Sequence, residues 1–295
     1  MSSTPDVSTT SPKAPRKRVV DVGVPLVVRE WGDSGRPVVF WPGLTPFAAL
    51  ALNEAGPVWA EKYARRVISI SPPGVETLAL PSEEYRLSSL ATLVVQLLDT
   101  LTLERVAFVG YSWGASLGCH LAASFPERLS ALVLLDAGYQ NVPDDGKDLE
   151  TRIEEARAES SGFGFSGWDD FLAAAREGRP RWSAALEERY VAGMRESDGR
   201  IVVAASPDAA AAAIHGVILE PPTAQLSTIG KLDLPVLLLL SSQRGDTDEG
   251  RVAVERFRQL VPQARVERID SGHDLLADQP EETIRTVGEF LGEHS

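Results

Sequence analysis

Gly110-Tyr111-Ser112-Trp113-Gly114 is the stretch of this chain that decides its fold. The residues before it, 105–109, are mostly apolar and partly β-branched, which is typical of a buried parallel strand. The residues after it, 115–125, are rich in Ala and Leu and end at Pro126, which indicates a packed helix. A serine on a sharp turn between such a strand and helix holds its hydroxyl above the sheet edge, and the flanking glycines relieve crowding. We therefore interpret Ser112 as a nucleophile.

The composition is that of a globular protein with an acidic body. Of the 295 residues, 43% are hydrophobic and 24% are charged, and the net charge is −13. Residues 1–18 hold four basic residues and one acidic residue, so the negative charge lies on the rest of the chain. Such a body repels nucleic acid and anionic membranes, and we expect neither as a partner.

The first residues and the cysteine content favour the cytoplasm. Residues 1–15 are rich in Ser, Thr and Pro without an apolar segment, so we do not expect a secretory signal. No apolar run approaches the roughly 20 residues that cross a bilayer. Cys119 is the only cysteine, so no internal disulfide and no cysteine-rich metal site can form. We interpret residues 1–18 as a disordered tail.

The order of strand and helix signals predicts an α/β protein with one insertion. The two signals alternate over residues 19–136 and 231–295, beginning with a strand at Val19–Val22, which favours a mostly parallel sheet with helices on both faces. The alternation breaks over residues 137–230, where helical patterns, glycine-rich joints and aromatic residues replace strands. We therefore predict a core of residues 19–136 and 231–295, and a helical insertion of residues 137–230.

A serine hydroxyl needs a base within hydrogen-bond reach, and the chain has four histidines. His273 follows the last predicted strand, 265–269, and the carboxyl ends of parallel strands share one edge with the turn at Ser112. His273 is therefore the predicted base. The others lie on the helix after the serine, in the insertion and next to the C-terminus: His120, His215 and His294.

A carboxylate is expected to orient the imidazole, and three aspartates follow strand ends. Asp246 is favoured because it lies closest to the end of the strand predicted at Pro235–Leu240. Asp248 in the same loop is an alternative. Asp136, after the strand that follows the Ser112 helix, is a second alternative, and could instead cap a strand end or a helix start.

Two backbone amides are predicted to stabilise negative charge on a substrate oxygen. The first is the amide of Trp113, directly after the serine at the positive end of a helix. The second is the amide of Leu44, in the loop after the strand at Pro37–Trp41, because Pro42 has no N–H.

With these motifs in place, the chain resembles the α/β-hydrolase fold family over about residues 19–295. The matching segments are Val38–Gly43, the stretch at 110–114, and Ser271-Gly272-His273. The resemblance implies an eight-stranded, mostly parallel sheet with a helical cap inserted after the strand that ends at Asp136. Two features depart from the family pattern: the oxyanion loop usually begins His-Gly, and the acid loop usually places an acidic pair directly after a glycine. The serine argues against the family's epoxide hydrolases and haloalkane dehalogenases, which resemble this pattern but carry Asp at that position.

The resulting expectation is a serine hydrolase without cofactor or metal, closest to esterases of EC class 3.1. It would cleave a carboxylester, lactone or thioester of a small, hydrophobic substrate through an acyl-enzyme. One alternative is carbon–carbon bond hydrolysis, perhydrolysis or lyase chemistry by the same residues. A second is a non-catalytic ligand-binding protein on the same fold. The oligomeric state stays open.

Overall fold

A computed structural model describes residues 14–294, and its centre is an eight-stranded sheet. The strand order is β1-β2-β4-β3-β5-β6-β9-β10, with antiparallel pairing at β1–β2 and β2–β4 and parallel pairing elsewhere. A separate antiparallel pair, β7–β8, lies outside this sheet. The strands are β1 Arg16–Asp21, β2 Pro25–Trp31, β3 Arg36–Trp41, β4 Arg65–Ser71, β5 Val106–Tyr111, β6 Leu129–Leu135, β7 Met194–Ser197, β8 Arg200–Val203, β9 Val236–Ser241 and β10 Arg265–Ile269.

Helices connect the parallel strands and also fill the long segment between β6 and β9. The longest have 14 residues, and within the described part of the chain no helix is long and apolar enough to cross a membrane. The α-helices are α1 Ala55–Lys62, α2 Leu87–Thr100, α3 Trp113–Ser124, α4 Leu149–Gly162, α5 Trp168–Arg176, α6 Ala184–Ala192, α7 Pro207–Leu219, α8 Leu226–Ile229, α9 Ser242–Gly245, α10 Asp248–Leu260, α11 Leu275–Asp278 and α12 Pro280–Glu293. Short 3₁₀ turns lie at Ala48–Leu50, Ser82–Tyr85, Pro126–Arg128 and Pro222–Gln225.

The sheet is covered on both faces, which is why its central strands are apolar along their whole length. All residues of β5 and β9 are buried. Neighbouring residues of β3 point to opposite faces: Val39 packs in the core that holds α2, α3 and α10, and Val38 packs against α1 and α12. The apolar stripe of α2 packs into the first of these cores.

The predicted tail is partly a strand. Residues 1–13 lie outside the described residues, but Arg16–Arg18 open β1 instead of forming a tail. The reason is the carboxylate of Glu30 on β2, which is 1% exposed and accepts hydrogen bonds from Arg16 at 2.8 Å and Arg18 at 2.7 Å. A buried carboxylate needs such partners, so the basic residues belong to the sheet.

The segment of residues 137–230 is mainly helical but also contains the β7–β8 hairpin, which the sequence analysis did not predict. Asp198 and Gly199 join the strands with φ of 51° and 71°. Positive φ at both positions defines a type I′ turn, which favours a tight hairpin.

A second ion network holds the edge of the sheet and supports a stability prediction. Glu76 accepts hydrogen bonds from Arg29 at 2.5 and 2.7 Å and from Lys17 at 2.8 Å, and Ser71 also bonds to it. Burial alone would raise the pKa of Glu76, but these partners lower it to about 2. Because this pKa lies below the ordinary glutamate value of 4.5, the carboxylate stabilises the fold above pH 4.5, and this contribution is lost as the pH falls toward 2.

We expect Glu76→Gln to lower the free energy of unfolding by about 2 kcal/mol at neutral pH, after allowance for solvent screening. The difference in the free energy of unfolding between Glu76→Gln and the unmodified protein should narrow as the pH falls from about 7 to about 3. Urea denaturation curves measure this difference. Glu289→Gln, which removes an exposed partner of Arg285, is the control and should cost less than about 0.5 kcal/mol. A gap that stays constant or widens in acid would contradict this role for Glu76.

Candidate active site

The turn between β5 and α3 holds Ser112 in a strained backbone conformation. Its φ of 53° and ψ of −112° lie outside the regions that L residues commonly occupy, and its amide donates to Leu135 O at 3.0 Å. The flanking glycines are needed for space. A Cβ at Gly110 would lie 2.1 Å from Gly114 O, and a Cβ at Gly114 would lie 2.1 Å from Trp41 O. Neither position therefore has room for a residue larger than glycine.

We expect Gly114→Ala to lower the free energy of unfolding by about 3 kcal/mol, because α3 must move away from the end of β3. Gly292→Ala is the matched control, since a Cβ at that exposed helical position meets nothing within 4 Å. The control should leave stability unchanged or raise it by about 0.5 kcal/mol. Urea denaturation of the two variants measures both effects, and equal stabilities would contradict the steric argument.

His273 lies against Ser112, as the sequence predicted. It follows β10, and its Nε2 is 2.9 Å from Ser112 Oγ. With a proton on Nδ1, Nε2 accepts the hydrogen bond of the serine hydroxyl. The ring of Tyr111 packs 5.3 Å from the imidazole, centroid to centroid. Burial, followed by the nearby carboxylate of Asp274, raises the pKa of Tyr111 well above its usual value, so its phenol stays neutral beside the imidazole.

The carboxylate that meets His273 is Asp136, at the end of β6. Its Oδ2 lies 2.6 Å from His273 Nδ1, and the residue is fully buried. Ser241, the last residue of β9, donates its amide to Oδ1 at 2.8 Å and its hydroxyl to Oδ2 at 2.9 Å. Asp136 has a φ of 52°, a conformation that is uncommon for residues other than glycine. The carboxylate is therefore fixed by three donors and holds the Nδ1 proton of the imidazole.

The favoured prediction of Asp246 as this partner is wrong, and the alternative Asp248 does not reach the imidazole either. After β9 the chain turns at once into α9, which carries Asp246 past the sheet edge to an ion pair with Arg268. Asp248 begins α10, where its side chain is 91% exposed and pairs with Arg251. Both aspartates are therefore engaged with surface arginines.

Sequence reasoning missed two residues that contact this arrangement, Ser241 and Arg244. Arg244 Nη1 donates to Asp136 O at 3.2 Å and lies 3.1 Å from His273 Nδ1. Ser241 caps α9 by accepting the amide of Arg244 at 3.3 Å, so the start of this short helix fixes both side chains. The signal in the sequence is a serine at a strand end, which favours a helix N-cap but does not reveal its contact with Asp136.

The residues that carry the two predicted oxyanion amides lie next to the Ser112 turn. Trp113 is the first residue of α3, and Leu44 is in the loop after β3. Gly43 packs directly on the turn, since a Cβ there would lie 3.0 Å from the Cβ of Ser112. Among the described residues, the amides of Leu44 and Trp113 donate to no carbonyl or side chain, which leaves them available for a substrate oxygen.

The remaining histidines have other surroundings. His120 is buried on α3, where Nε2 lies 3.1 Å from Glu220 O. His215 is on α7, and His294 follows α12 beside Phe290. Among the described residues, His273 is thus the histidine placed to accept the proton of Ser112.

The segment of residues 137–230 is tied to the site by two arginines. Arg189 on α6, which is 4% exposed, donates to Phe47 O at 3.1 Å and pairs with Asp274 at 2.9 Å. Arg181 pairs with Glu54 at 2.6 Å and donates to the carbonyl of Ala277 at 3.0 Å. These contacts anchor the segment to the loop after β3 and to the residues that follow His273.

Comparison with known proteins assigns the chain to a family. Residues 37–280 match the model of the α/β hydrolase fold family, and the chain belongs to that family. The chain is 25% identical over 224 residues to the cis-3-alkyl-4-alkyloxetan-2-one decarboxylase of Shewanella oneidensis, which covers 71% of this chain and 67% of the relative.

Two solved structures extend the similarity over nearly the whole chain. A thioesterase domain from the curacin biosynthetic pathway superposes with a TM-score of 0.75 at 16% identity, covering 93% of this chain and 99% of the domain. The carboxylesterase CesB of Bacillus subtilis gives a TM-score of 0.66 at 19% identity, covering 95% of this chain and 92% of the esterase. At such identities the similarity concerns the fold, and the function must be argued from the site.

Proposed function

We propose that this protein is a serine hydrolase that cleaves an ester-like bond through Ser112, His273 and Asp136. The observation that carries the proposal is the continuous chain of short contacts, 2.9 Å from Ser112 Oγ to His273 Nε2 and 2.6 Å from Nδ1 to Asp136 Oδ2. A hydroxyl, an imidazole and a buried carboxylate in this order can activate an alcohol near neutral pH.

The proposed reaction needs only these side chains and two backbone amides. Ser112 Oγ bonds to the substrate carbonyl carbon while its proton passes to His273 Nε2, and Asp136 stabilises the resulting imidazolium. The amides of Trp113 and Leu44 donate to the carbonyl oxygen as it becomes negative, each worth about 3 kcal/mol in the transition state. His273 then protonates the leaving group, and a water molecule activated by the same imidazole releases the acid.

The segment of residues 137–230 acts, in this proposal, as a cap that encloses a small, largely apolar substrate. The support is its anchoring by Arg189 and Arg181 on both sides of the site. Aromatic rings of this segment, including Phe163, line the cavities that Trp113 and His273 border and limit the access of water to the site.

An acyl-enzyme intermediate is the most specific consequence of this mechanism. A p-nitrophenyl ester should give a rapid release of about one equivalent of p-nitrophenol, and intact-mass spectra of quenched samples should gain the mass of the acyl group. Added methanol should divert part of the product to the methyl ester, because both nucleophiles attack the same intermediate. Turnover with neither an acyl mass nor a methyl ester would exclude this mechanism.

One comparison favours a second candidate function, in which the same residues catalyse a reaction other than ester hydrolysis. A relative that matches over most of both chains is named as a decarboxylase, not as an esterase. Turnover of β-lactones with release of carbon dioxide, at higher kcat/KM than simple esters, would favour this candidate over the ester hydrolase.

A further inference from the structure

Two cavities of different character adjoin the site: Trp113, directly after Ser112, lines the first, and His273, whose Nε2 lies 2.9 Å from Ser112 Oγ, lines the second. The apolar chamber, of about 370 Å³, is lined chiefly by Leu44, Trp113, Pro73, Phe163 and Ala210. The acidic chamber, of about 960 Å³, is lined on its polar side by His273, Asp270, Asp274, Asp278 and Arg179. Pro46, Phe163 and Val203 border both chambers.

The geometry of acyl transfer assigns one part of the substrate to each chamber. The tetrahedral carbon on Ser112 carries four groups, of which one is Oγ and one is the oxyanion held by the amides of Leu44 and Trp113. The leaving group must face His273 Nε2 to receive its proton, and His273 lines the acidic chamber. The remaining group, the acyl chain, must extend the other way, into the apolar chamber.

The acidic chamber selects against negative charge, because Arg189 pairs with Asp274 but the carboxylates of Asp270 and Asp278 have no guanidinium within hydrogen-bond distance in the described structure. Asp278 accepts the amide of Gly272 at 3.1 Å, but its nearest cation, Arg179, is 3.9 Å away, beyond hydrogen-bond distance. Burial, and then the neighbouring Asp274, raise the pKa of Asp278, as expected where carboxylates crowd together. The Arg179 guanidinium lies 4.5 Å from the centre of the Tyr190 ring, and the Asp270 carboxylate, which also lines this chamber, adds further negative charge.

The volume of the apolar chamber limits the acyl chain. A methylene group fills about the space of a water molecule, roughly 30 Å³, so this chamber holds on the order of twelve carbon atoms. A chain in staggered, low-energy rotamers does not reach every part of the chamber, so roughly six to ten carbons fit. Ala210, on the first turns of α7, lines this chamber and is only partly buried, so a larger side chain there would shorten it.

We propose that the substrates join an apolar acyl group of roughly six to ten carbons, in the apolar chamber, to a polar alcohol without negative charge, in the acidic chamber. This inference rests on the proposed function, because it uses the direction in which His273 faces the leaving group. It adds the substrate class, which the arrangement of Ser112, His273 and Asp136 alone does not determine.

The test is a matrix of esters hydrolysed by the full chain and by two matched variants. Acetyl, octanoyl and dodecanoyl groups are each joined to propanol, to choline and to glycolic acid. Ala210→Trp fills the apolar chamber, and Ala174→Trp on α5, at an exposed position, fills the acidic chamber. Ser112→Ala gives the background rate, and Ala210→Leu is measured as a milder version of the first variant.

For the unmodified chain, kcat/KM should rise about fourfold for each methylene buried, up to the octanoyl group, and then fall. Octanoyl esters of propanol and choline should be hydrolysed at least about tenfold faster than the glycolate ester. Ala210→Trp, or Ala210→Leu to a smaller extent, should lower kcat/KM for octanoyl esters at least about tenfold while acetyl esters change less than about threefold. Ala174→Trp should instead reduce discrimination among the alcohols and keep the acyl preference.

Results that overturn the assignment of the two chambers can be distinguished from results that overturn the proposed function. If esters are hydrolysed but Ala174→Trp shortens the preferred acyl chain, or if the glycolate esters are preferred, the assignment of the two chambers is overturned and the proposed function stands. If the unmodified chain hydrolyses no ester above the Ser112→Ala background, the proposed function fails, and this inference fails with it.

Discussion

Ser112→Ala should lower kcat for ester hydrolysis by about 10⁴- to 10⁶-fold, the largest effect that any single substitution in this protein is expected to have. The reason is that no other hydroxyl takes its place 2.9 Å from His273 Nε2 in the described structure. The amides of Leu44 and Trp113 remain in the variant, so a small residual rate above uncatalysed hydrolysis is expected. Steady-state kinetics with a p-nitrophenyl ester measure the change.

The control for this substitution is Ser242→Ala. Ser242 lies at the start of α9, where its hydroxyl donates to Asp270 at 2.8 Å instead of to the imidazole. We expect its kcat to stay within about threefold of the unmodified protein. A Ser112→Ala variant that is folded and retains more than about a tenth of the activity would mean that the nucleophile lies elsewhere.

Asp136→Asn should lower kcat by about 10³- to 10⁴-fold, the second largest expected effect. In the unmodified protein Ser241 donates its amide to Oδ1, and Oδ2 faces His273 Nδ1. An asparagine that keeps the first contact turns its NH₂ group toward Nδ1, which forces the imidazole to carry its proton on Nε2. That tautomer cannot accept the proton of Ser112, so the geometry is retained while the base is lost.

Asp246→Asn is the matched control, since the same chemical change is made at the aspartate that the sequence favoured. Its partner is Arg268 on the surface, and its side chain is 51% exposed. We expect kcat within about twofold of the unmodified protein and a stability change below about 1 kcal/mol. If Asp246→Asn lost activity and Asp136→Asn retained it, the contact between His273 and Asp136 would not contribute to catalysis.

The fold and two of the three side chains that meet at the site followed from local sequence patterns. Alternating strand and helix signals predicted the mostly parallel sheet, and the motif around Ser112 predicted its turn between β5 and α3. His273 could be selected because only one histidine follows a strand on the same sheet edge. These features depend on residues that are close together in the sequence, and local sequence patterns therefore predict them.

The carboxylate depends on contacts that sequence patterns do not record. Three aspartates follow strand ends, and only the structure distinguishes them. The positive φ of Asp136 and its two hydrogen bonds from Ser241, 105 residues further along, place it beside the imidazole. Asp246 was favoured for its nearness to a predicted strand end, but α9 begins directly at that end and moves Asp246 away.

Two smaller differences between the sequence-based expectation and the structure have separate causes. The basic residues Arg16 and Arg18 suggest a tail when read alone, and they become part of a strand because Glu30 on the neighbouring strand binds both. The Asp198-Gly199 pair carries a local hairpin signal, but the helical patterns on both sides of it favour a helical segment when the sequence is taken alone.

The central claim is that Ser112 is an activated nucleophile, and covalent labelling by a fluorophosphonate tests it most directly. The probe needs no knowledge of the substrate, and intact mass followed by peptide mapping locates the adduct. We predict one adduct per chain on Ser112, none in Ser112→Ala, and labelling slowed by at least about a hundredfold in His273→Ala. A folded protein that forms no adduct, or forms it on another residue, would contradict the claim.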